Sequence, residues 1–206
     1  MRIRRQPSTR YAILGLLSLA PMSGYEIRKV AASSIGHFWS ESYGQIYPTL
    51  RKLVAAGLAK PRSRRGRQRE GGRRDRQEFE ITEKGRAVLA EWRAAAPRAQ
   101  PPRNELLLKL FFGERVSIEE HVAHVQAVLA HETDQVDRYR QLELRIRQEW
   151  RRHPSCSFWL MTVRHGRRVS DALVRWSRET LTSLKREGTM RNAGPRPRVP
   201  KRKQAR

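Results

Sequence analysis

The sequence predicts a mainly α-helical protein with a small β wing. Three observations support this class: three short helical patterns come first, two short strand patterns follow them, and one long helical pattern fills most of the second half. This order indicates an N-terminal winged helix-turn-helix followed by a C-terminal helical domain. A chain of 206 residues has room for two such domains with their own cores.

The charge of the chain is strongly one-sided. Its 44 Lys and Arg residues stand against 20 Asp and Glu, a formal net charge of +24. Half of the basic residues lie in 1–10, 60–76 and 185–206, so the excess is placed in arms and a loop. Such a surplus indicates a polyanionic partner, and nucleic acid is the first candidate.

The remaining composition narrows the class of protein. The single Cys156 excludes an intramolecular disulfide and fits a reducing compartment. No apolar run is long enough to span a membrane, and the arginine-containing start lacks a signal-peptide core. Neither a phosphate-cradling glycine loop nor a Ser/His/Asp arrangement is present. We therefore expect a cytoplasmic protein, nucleoid-associated when it binds DNA, with no cofactor, no membrane partner and no enzymatic activity.

The first two helices are marked by their caps. Ser8 or Thr9 can begin the first helix, and Pro21 ends it. Its apolar residues recur at helical spacing: Ile13, Leu16, Leu17 and Ala20. Ser23 followed by Glu26 is a capping-box pattern that opens the second helix.

The third helix is the segment on which the domain depends. Its buried stripe is predicted to be Ile46, Leu50, Leu53 and Val54. The opposite side carries small, amide and cationic residues, namely Gly44, Gln45, Pro48, Arg51 and Lys52, with Tyr47 and Thr49 beside them. Such a face suits the major groove of DNA, while a plainly solvated face is the alternative. Ser42 is a cap candidate, but Pro48 requires either a later helix start or an irregular first turn.

Two strand patterns enclose an arginine-rich loop. Residues 58–60 form the first, and residues 78–82 form the second, with Phe79 and Ile81 facing inward. The arginines at the loop tip indicate nearby phosphates, and a solvated loop is the alternative. Thr82 can cap a fourth helix that buries Val88, Leu89 and Trp92.

Prolines at 97, 101 and 102 mark the domain boundary. The predicted divisions are a basic arm (1–7), the winged helix-turn-helix (8–96), a Pro-rich linker (97–102), a helical domain (103–187) and a disordered basic tail (188–206). Within the helical domain, a coiled-coil-like helix runs from about Ser117 to Arg152 and is expected to pack in a bundle. Its apolar series includes Trp150, while Glu132 and Glu143 occupy two vacant positions of that series.

Several blocks carry a resemblance to a known family. They read ILGLL at 13–17, PMSGYEI at 21–27, GQIYPTL at 44–50, GL at 57–58 and ITEKGR at 81–86. Together these blocks closely resemble the PadR family of bacterial transcriptional regulators. The ELLLKLFFG block at 105–113 and the aromatic-rich last helix resemble its members with a virulence-activator-like C-terminal region.

The resemblance implies a homodimer joined through the C-terminal helices, making 103–187 the dimerisation and effector domain. It also implies that the third helix reads the major groove of double-stranded DNA and that the wing touches phosphates or the minor groove. Members mostly repress transcription, and some are released by phenolic or aromatic effectors. Two features depart from the family pattern: the wing tip is longer and richer in arginine, and Phe79 stands where tyrosine is common.

The predicted DNA-binding residues are Ser23, Tyr25, Ser42, Gln45, Tyr47, Thr49, Arg51, Lys52, Arg73, Arg74 and Arg76. Gln45, Thr49 and Arg51 are assigned to base edges or the groove, and Tyr47 and Lys52 to the flanking backbone. Ser23 and Tyr25 suit a phosphate at a helix N-terminus. Core packing is an equal alternative for the two tyrosines. Arg4, Arg5 and Arg10 are candidates for an arm contact.

Five aromatic residues are candidates for an effector pocket, with core and dimer packing as the favoured alternative: Trp92, Phe111, Phe112, Trp159 and Trp176. His121, His124 and His131 share one side of the long helix, but their spacing does not favour a metal site. The leading hypothesis is a dimeric, sequence-specific repressor. A nonspecific architectural DNA- or RNA-binding protein is the alternative, and an interaction protein with a vestigial reader is a third.

Overall fold

A computed structural model describes residues 9–39, 43–62, 77–97 and 104–193. Two compact units fall within Met1–Gln100 and Pro101–Arg206. The basic arm, most of the wing tip and linker, and the chain beyond residue 193 lie outside the described residues. None of the helices in the described ranges is long and apolar enough to cross a membrane.

The first unit is a winged helix-turn-helix, as the sequence predicts. Its elements are α1 (Thr9–Leu19), β1 (Met22–Ser23), α2 (Gly24–Ser34), α3 (Ile46–Ala55), β2 (Ala59–Pro61), β3 (Glu78–Ile81) and α4 (Glu83–Ala94). The antiparallel sheet has the strand order β1-β3-β2, and Lys60 pairs with Glu80 across it at 3.1 Å. The sequence analysis missed β1, because its two residues also belong to a helix end and a cap.

Helix α1 is the centre of this unit, packed against α2, α3, α4 and β3. Leu14 is completely buried although it lies outside the predicted stripe, and the predicted Ala20 is exposed beyond the helix end. A helix surrounded by other elements buries more than one face, so a single apolar stripe underestimates its core. Phe79 and Ile81 pack on this core as predicted.

The helix caps of this unit follow the sequence signals. Ser23 and Glu26 form the capping box: Ser23 Oγ accepts from Glu26 N at 3.3 Å, and Glu26 Oε2 accepts from Ser23 N at 2.8 Å. Thr82 caps α4 by accepting from Gly85 N at 3.0 Å. Both signals lie within four residues of the bond they predict, which is why the sequence is sufficient to find them.

The second unit contains α5 (Glu105–Phe111), α6 (Ile118–Glu149) and α7 (Cys156–Ala193). Helices α6 and α7 form an antiparallel hairpin, since a short connection joins them and they pack along their lengths. Tyr139, Ile146 and Val163 form a buried cluster between the two helices.

Three expectations for the second half are corrected. The predicted disorder from residue 188 is wrong for 188–193, because α7 continues to Ala193. Trp150, placed in the buried series, is 48% exposed because it lies just after the last residue of α6. Glu143, placed at a vacancy in the apolar series, is instead buried and held by arginines.

Candidate nucleic-acid interface

The start of α3 is a 3-10 turn at Tyr43–Gln45 followed by regular helix from Ile46. The later of the two predicted starts is therefore the one observed. Pro48 is the third residue of the helix, where a backbone N–H has no intrahelical acceptor. The proline consequently removes no helix hydrogen bond, and α3 needs no kink.

The two faces of α3 differ sharply. Ile46, Leu50 and Leu53 are between 1% and 7% exposed and join the core. The opposite face presents Gly44, Gln45, Tyr47, Arg51 and Lys52 to solvent, and Tyr47 is 57% exposed. Amide, phenol and cationic groups thus share one accessible surface, which can accept both base edges and phosphates.

Thr49 requires a correction. Its side chain is only 8% exposed, because it lies three residues after Ile46 and four before Leu53, on the buried stripe. It offers too little surface to reach a base edge, and we do not carry it into the proposed interface.

At the N-terminus of α2, two predicted contacts have different fates. Ser23 is 3% exposed, and its Oγ both accepts from Glu26 N and donates to Glu26 Oε2 at 2.7 Å. The capping box therefore occupies the hydroxyl that was assigned to phosphate. Tyr25 is 45% exposed, so core packing does not account for it, and it remains a candidate.

The two helices meet where Tyr47 lies against Gly24. A Cβ built on Gly24 would lie 2.5 Å from Tyr47 Cε1 and 2.8 Å from its Cζ. Only glycine allows the phenol ring to occupy this place. The contact fixes the ring of Tyr47 beside the N-terminus of α2.

The C-terminal end of α3 is also fixed. Gly57 has a φ of 69°, and Leu58 N donates to Leu53 O at 2.9 Å, which together make a Schellman motif. Lys84 Nζ donates to Ala56 O at 3.1 Å, and Thr82 Oγ1 donates to Gly57 O at 2.7 Å. These bonds hold α3 against the start of α4.

Sequence reasoning did not select two further cations. Arg28 and Lys29 are exposed on α2 and line a surface depression with Tyr25. Their positions three and four residues after Tyr25 place them on its face of the helix, which is the signal that could have found them. Beyond the end of α2, burial lowers the pKa of His37, and its hydrogen bond with the Ser34 backbone only partly opposes this.

The remaining predicted contacts are only partly described. Ser42, Arg73, Arg74 and Arg76, together with Arg4 and Arg5, lie outside the described residues. At the base of the wing, Arg62 N donates to Glu78 O at 2.9 Å, which continues the β2–β3 pairing. Arg10 is half-buried, and its guanidinium carbon lies 4.6 Å from the Tyr11 ring centroid.

The predicted effector aromatics have separate local partners. Trp92 is 45% exposed and stacks on Tyr11, with a centroid separation of 4.7 Å. Phe111 and Phe112 are 82% and 72% exposed and pack edge to face against each other. Trp159 stacks on His153 at 4.5 Å, and Trp176 is half-buried on α7. The expected burial of Trp92 is therefore wrong, because its ring covers Tyr11 at the surface.

A cavity of about 300 Å³ lies among α1, α2 and the segment leading to α3. Its mostly apolar lining includes Ala12, Leu16, Ile27, Ala31, Trp39 and Ile46. None of the five predicted effector residues lines it. Trp39 Nε1 is buried and has no hydrogen-bond partner among the described residues. Nor do those residues contain a cluster of three His, Cys, Asp or Glu side chains suited to a metal ion.

Two family models match the chain in succession. Residues 13–91 match the transcriptional regulator PadR-like family, and residues 102–185 match the virulence activator alpha C-terminal family. The first covers the described winged helix-turn-helix from within α1 to within α4, and the second covers α5, α6 and most of α7.

Relatives of known role are similar over different lengths. The negative transcriptional regulator PadR of Bacillus subtilis is 32% identical over 112 residues, 54% of this chain and 59% of that protein. The structure of Bacillus subtilis PadR with operator DNA has a TM-score of 0.72 at 23% identity and covers 86% of this chain and 99% of that chain. Its complex with p-coumaric acid has a TM-score of 0.69 at 23% identity and covers 87% and 99%.

Proposed function

This chain belongs to the PadR-like family of transcriptional regulators, and from that premise we propose that it is a homodimeric repressor of a two-fold symmetric DNA site. Proteins of this family are DNA-binding regulators and not enzymes. The repressor role follows the Bacillus subtilis relative, which is a negative regulator. The alignment with that relative spans 59% of its length, so repression is our proposal for this protein.

The observation that supports DNA reading best is the two-faced helix α3. Its core stripe fixes the helix in the domain, while Gln45 and Arg51 remain exposed on the outer face. Glutamine can bond adenine bidentately, and arginine can do the same with guanine. Tyr25, Tyr47 and Lys52 surround these residues and suit the phosphates on either side.

Dimerisation is supported by the apolar surface of the second unit. On α5, Leu107, Leu108, Phe111 and Phe112 are between 49% and 82% exposed. On α7, Phe158 and Val169 are 66% and 46% exposed. A regulator that stayed monomeric would leave these side chains in water, and contiguous apolar surface of this kind marks a protein interface. A second copy would place two α3 helices about 34 Å apart, on successive major grooves.

A small aromatic effector is the finer part of the proposal. The structure of Bacillus subtilis PadR with p-coumaric acid supports the class of ligand. The cavity behind α3 supports the place, because it is apolar, lies against Ile46 and contains the indole N–H of Trp39. Titration with p-coumaric acid should weaken DNA binding, and Ala12→Leu, which fills the cavity, should abolish that response while DNA binding persists. An unchanged response in Ala12→Leu would exclude this cavity.

The repressor reading is tested by competition between DNA sequences. A palindromic duplex from upstream of the protein's own gene should bind much more tightly than scrambled DNA at about 0.15 M salt, by a factor of about 10³ or more. The complex should contain two protein chains per duplex. Equal affinity for both duplexes would instead support the nonspecific architectural alternative, in which the basic segments supply nearly all of the binding.

A further inference from the structure

Five arginines of α7 lie along one side of the helix: Arg164, Arg167, Arg168, Arg175 and Arg178. At about 100° per residue they share a sector about 100° wide, and from first to last they extend about 21 Å. We call this set the arginine stripe. Asp171 is the one acidic residue between its ends, so the stripe is a concentrated cationic surface within the second unit.

One end of the stripe is held in place by a buried carboxylate. Glu143 of α6 has a side chain only 11% exposed, and its Oε1 accepts from Arg164 Nε at 3.0 Å. Its Oε2 accepts from Arg167 Nη1 at 3.2 Å, and Arg147 of α6 donates to Oε1 at 3.0 Å. Three guanidiniums are thus fixed around a single negative charge, and each still exposes between 35% and 53% of its side chain.

The charge of the stripe is far from neutralised. Even counting both Glu143 and Asp171, the five arginines retain three positive charges. Arg168, Arg175 and Arg178 are exposed, and none of them takes part in the ion pairs found among the described residues. Arginines crowded in this way repel one another unless an anion lies nearby.

The stripe is separate from the surface proposed for dimerisation. The exposed apolar residues Phe158 and Val169 lie about 140° around α7 from the middle of the stripe at 100° per residue. A second copy that covers this apolar side leaves the arginines accessible. The stripe also belongs to a different unit from α3, so it can contribute binding that α3 does not.

We propose that the arginine stripe is a second nucleic-acid surface, which binds the phosphate backbone of double-stranded DNA without reading its sequence. A row about 21 Å long matches about six consecutive phosphates of one strand, at 3.4 Å per phosphate. Guanidinium forks are suited to phosphate oxygens and carry no information about base identity. The surface adds affinity and salt dependence to the sequence preference supplied by α3.

The test neutralises the exposed part of the stripe in the full-length protein. We compare the wild type with Arg168→Gln/Arg175→Gln/Arg178→Gln on two duplexes of about 60 base pairs, one from upstream of the gene and one scrambled. The plot of log affinity against log salt should become shallower by about 2 to 3, near 0.9 for each lost phosphate contact. Both affinities should fall by the same factor, on the order of 10 to 100 at 0.15 M salt, leaving their ratio unchanged.

A matched control separates the stripe from net charge. Lys109→Gln/Arg115→Gln/Arg138→Gln removes three exposed cations of the same unit that lie outside the stripe. This variant should keep a steeper salt dependence than the stripe variant. An equal change in both variants, or no change in the stripe variant, would overturn the proposal. The outcome is independent of the repressor reading, because the salt slope is measured whether or not the protein prefers its upstream sequence.

Two further measurements protect the result. Replacing Arg168, Arg175 and Arg178 by lysine keeps the charge and should keep the slope, so a loss with lysine would contradict a phosphate surface. Poly-glutamate serves as the competing probe for an acidic protein partner. If it displaces scrambled DNA from the wild type and from the stripe variant equally well, the DNA proposal stands; if only the wild type is sensitive and poly-glutamate binds more tightly than DNA, the proposal fails.

Discussion

The phenol ring of Tyr47 in α3 lies over Gly24, the first residue of α2, so that a Cβ at position 24 would approach Tyr47 Cε1 to 2.5 Å. The ring is 57% exposed, so its outer side faces solvent while its inner side rests on the α2 backbone. The contact sets the position of a candidate phosphate-binding side chain from a residue of a different helix. Its disturbance should therefore affect DNA binding more than folding.

We expect Gly24→Ala to weaken DNA binding about tenfold or more by displacing the Tyr47 ring, because small shifts of contact groups are costly in recognition. Stability should change by less than about 1 kcal/mol, since an exposed ring can move into solvent and alanine favours the helix. Fluorescence anisotropy with the upstream duplex and thermal unfolding measure the two effects. Gly15→Ala is the control: nothing lies within 4 Å of its added Cβ, so DNA binding should be unchanged. Equal affinities for Gly24→Ala and wild type would remove the role assigned to this contact.

Gln45→Ala should relax sequence preference. If Gln45 bonds an adenine edge, its loss reduces discrimination at one base pair by about 1–3 kcal/mol. Binding to a panel of singly substituted upstream duplexes measures this. Lys52→Ala is the matched comparison on the same helix: it should weaken all duplexes alike and lower the salt slope by about 1. Uniform weakening by Gln45→Ala as well would assign both residues to the backbone.

Phe111→Asp should prevent dimerisation. The ring is 82% exposed in a single chain, and a buried carboxylate without a partner is strongly unfavourable at an interface. Sedimentation equilibrium at micromolar concentration should show the wild type as a dimer and the variant as a monomer. Gln126→Asp adds the same charge at an exposed polar position of α6 and should remain dimeric. A wild type that is itself monomeric would exclude the homodimer.

Glu143→Gln should destabilise the α6–α7 hairpin at pH 7. The hydrogen bond from Arg147, with Arg164 and Arg167 beside it, holds the pKa of Glu143 below its ordinary value of 4.5. We expect a loss of about 1–2 kcal/mol, reduced by solvent screening because the arginines are partly exposed.

The pH dependence of that effect has a definite sign. A lowered carboxyl pKa contributes stability that is present above pH 4.5 and is lost as the pH falls through the folded-state pKa. The wild type and Glu143→Gln should therefore converge in urea unfolding as the pH drops below about 4.5. Glu149→Gln, an exposed substitution on the same helix, should change stability by less than about 0.5 kcal/mol at any of these pH values. A difference for Glu143→Gln that persists at pH 3 would point to packing instead of charge.

Much of the winged helix-turn-helix could be predicted because its signals are local. The capping box at Ser23 and the cap at Thr82 depend on groups three residues away, and the alternation of Phe79 and Ile81 follows from strand geometry. The outer face of α3 was predicted for the same reason. Thr49 was misplaced because it lies at the edge of the stripe, where only the packed core decides the width of the buried face.

By itself, then, the sequence determined the family, the order of the helices and strands, and the segment that presents Gln45 and Arg51. The tertiary structure alone decided that Tyr47 rests on Gly24, that Glu143 collects three arginines, and that the predicted aromatics have separate neighbours. The physical reason is distance along the chain. Caps and periodic faces depend on residues a few positions apart, whereas burial and ion pairing depend on elements that meet only after folding.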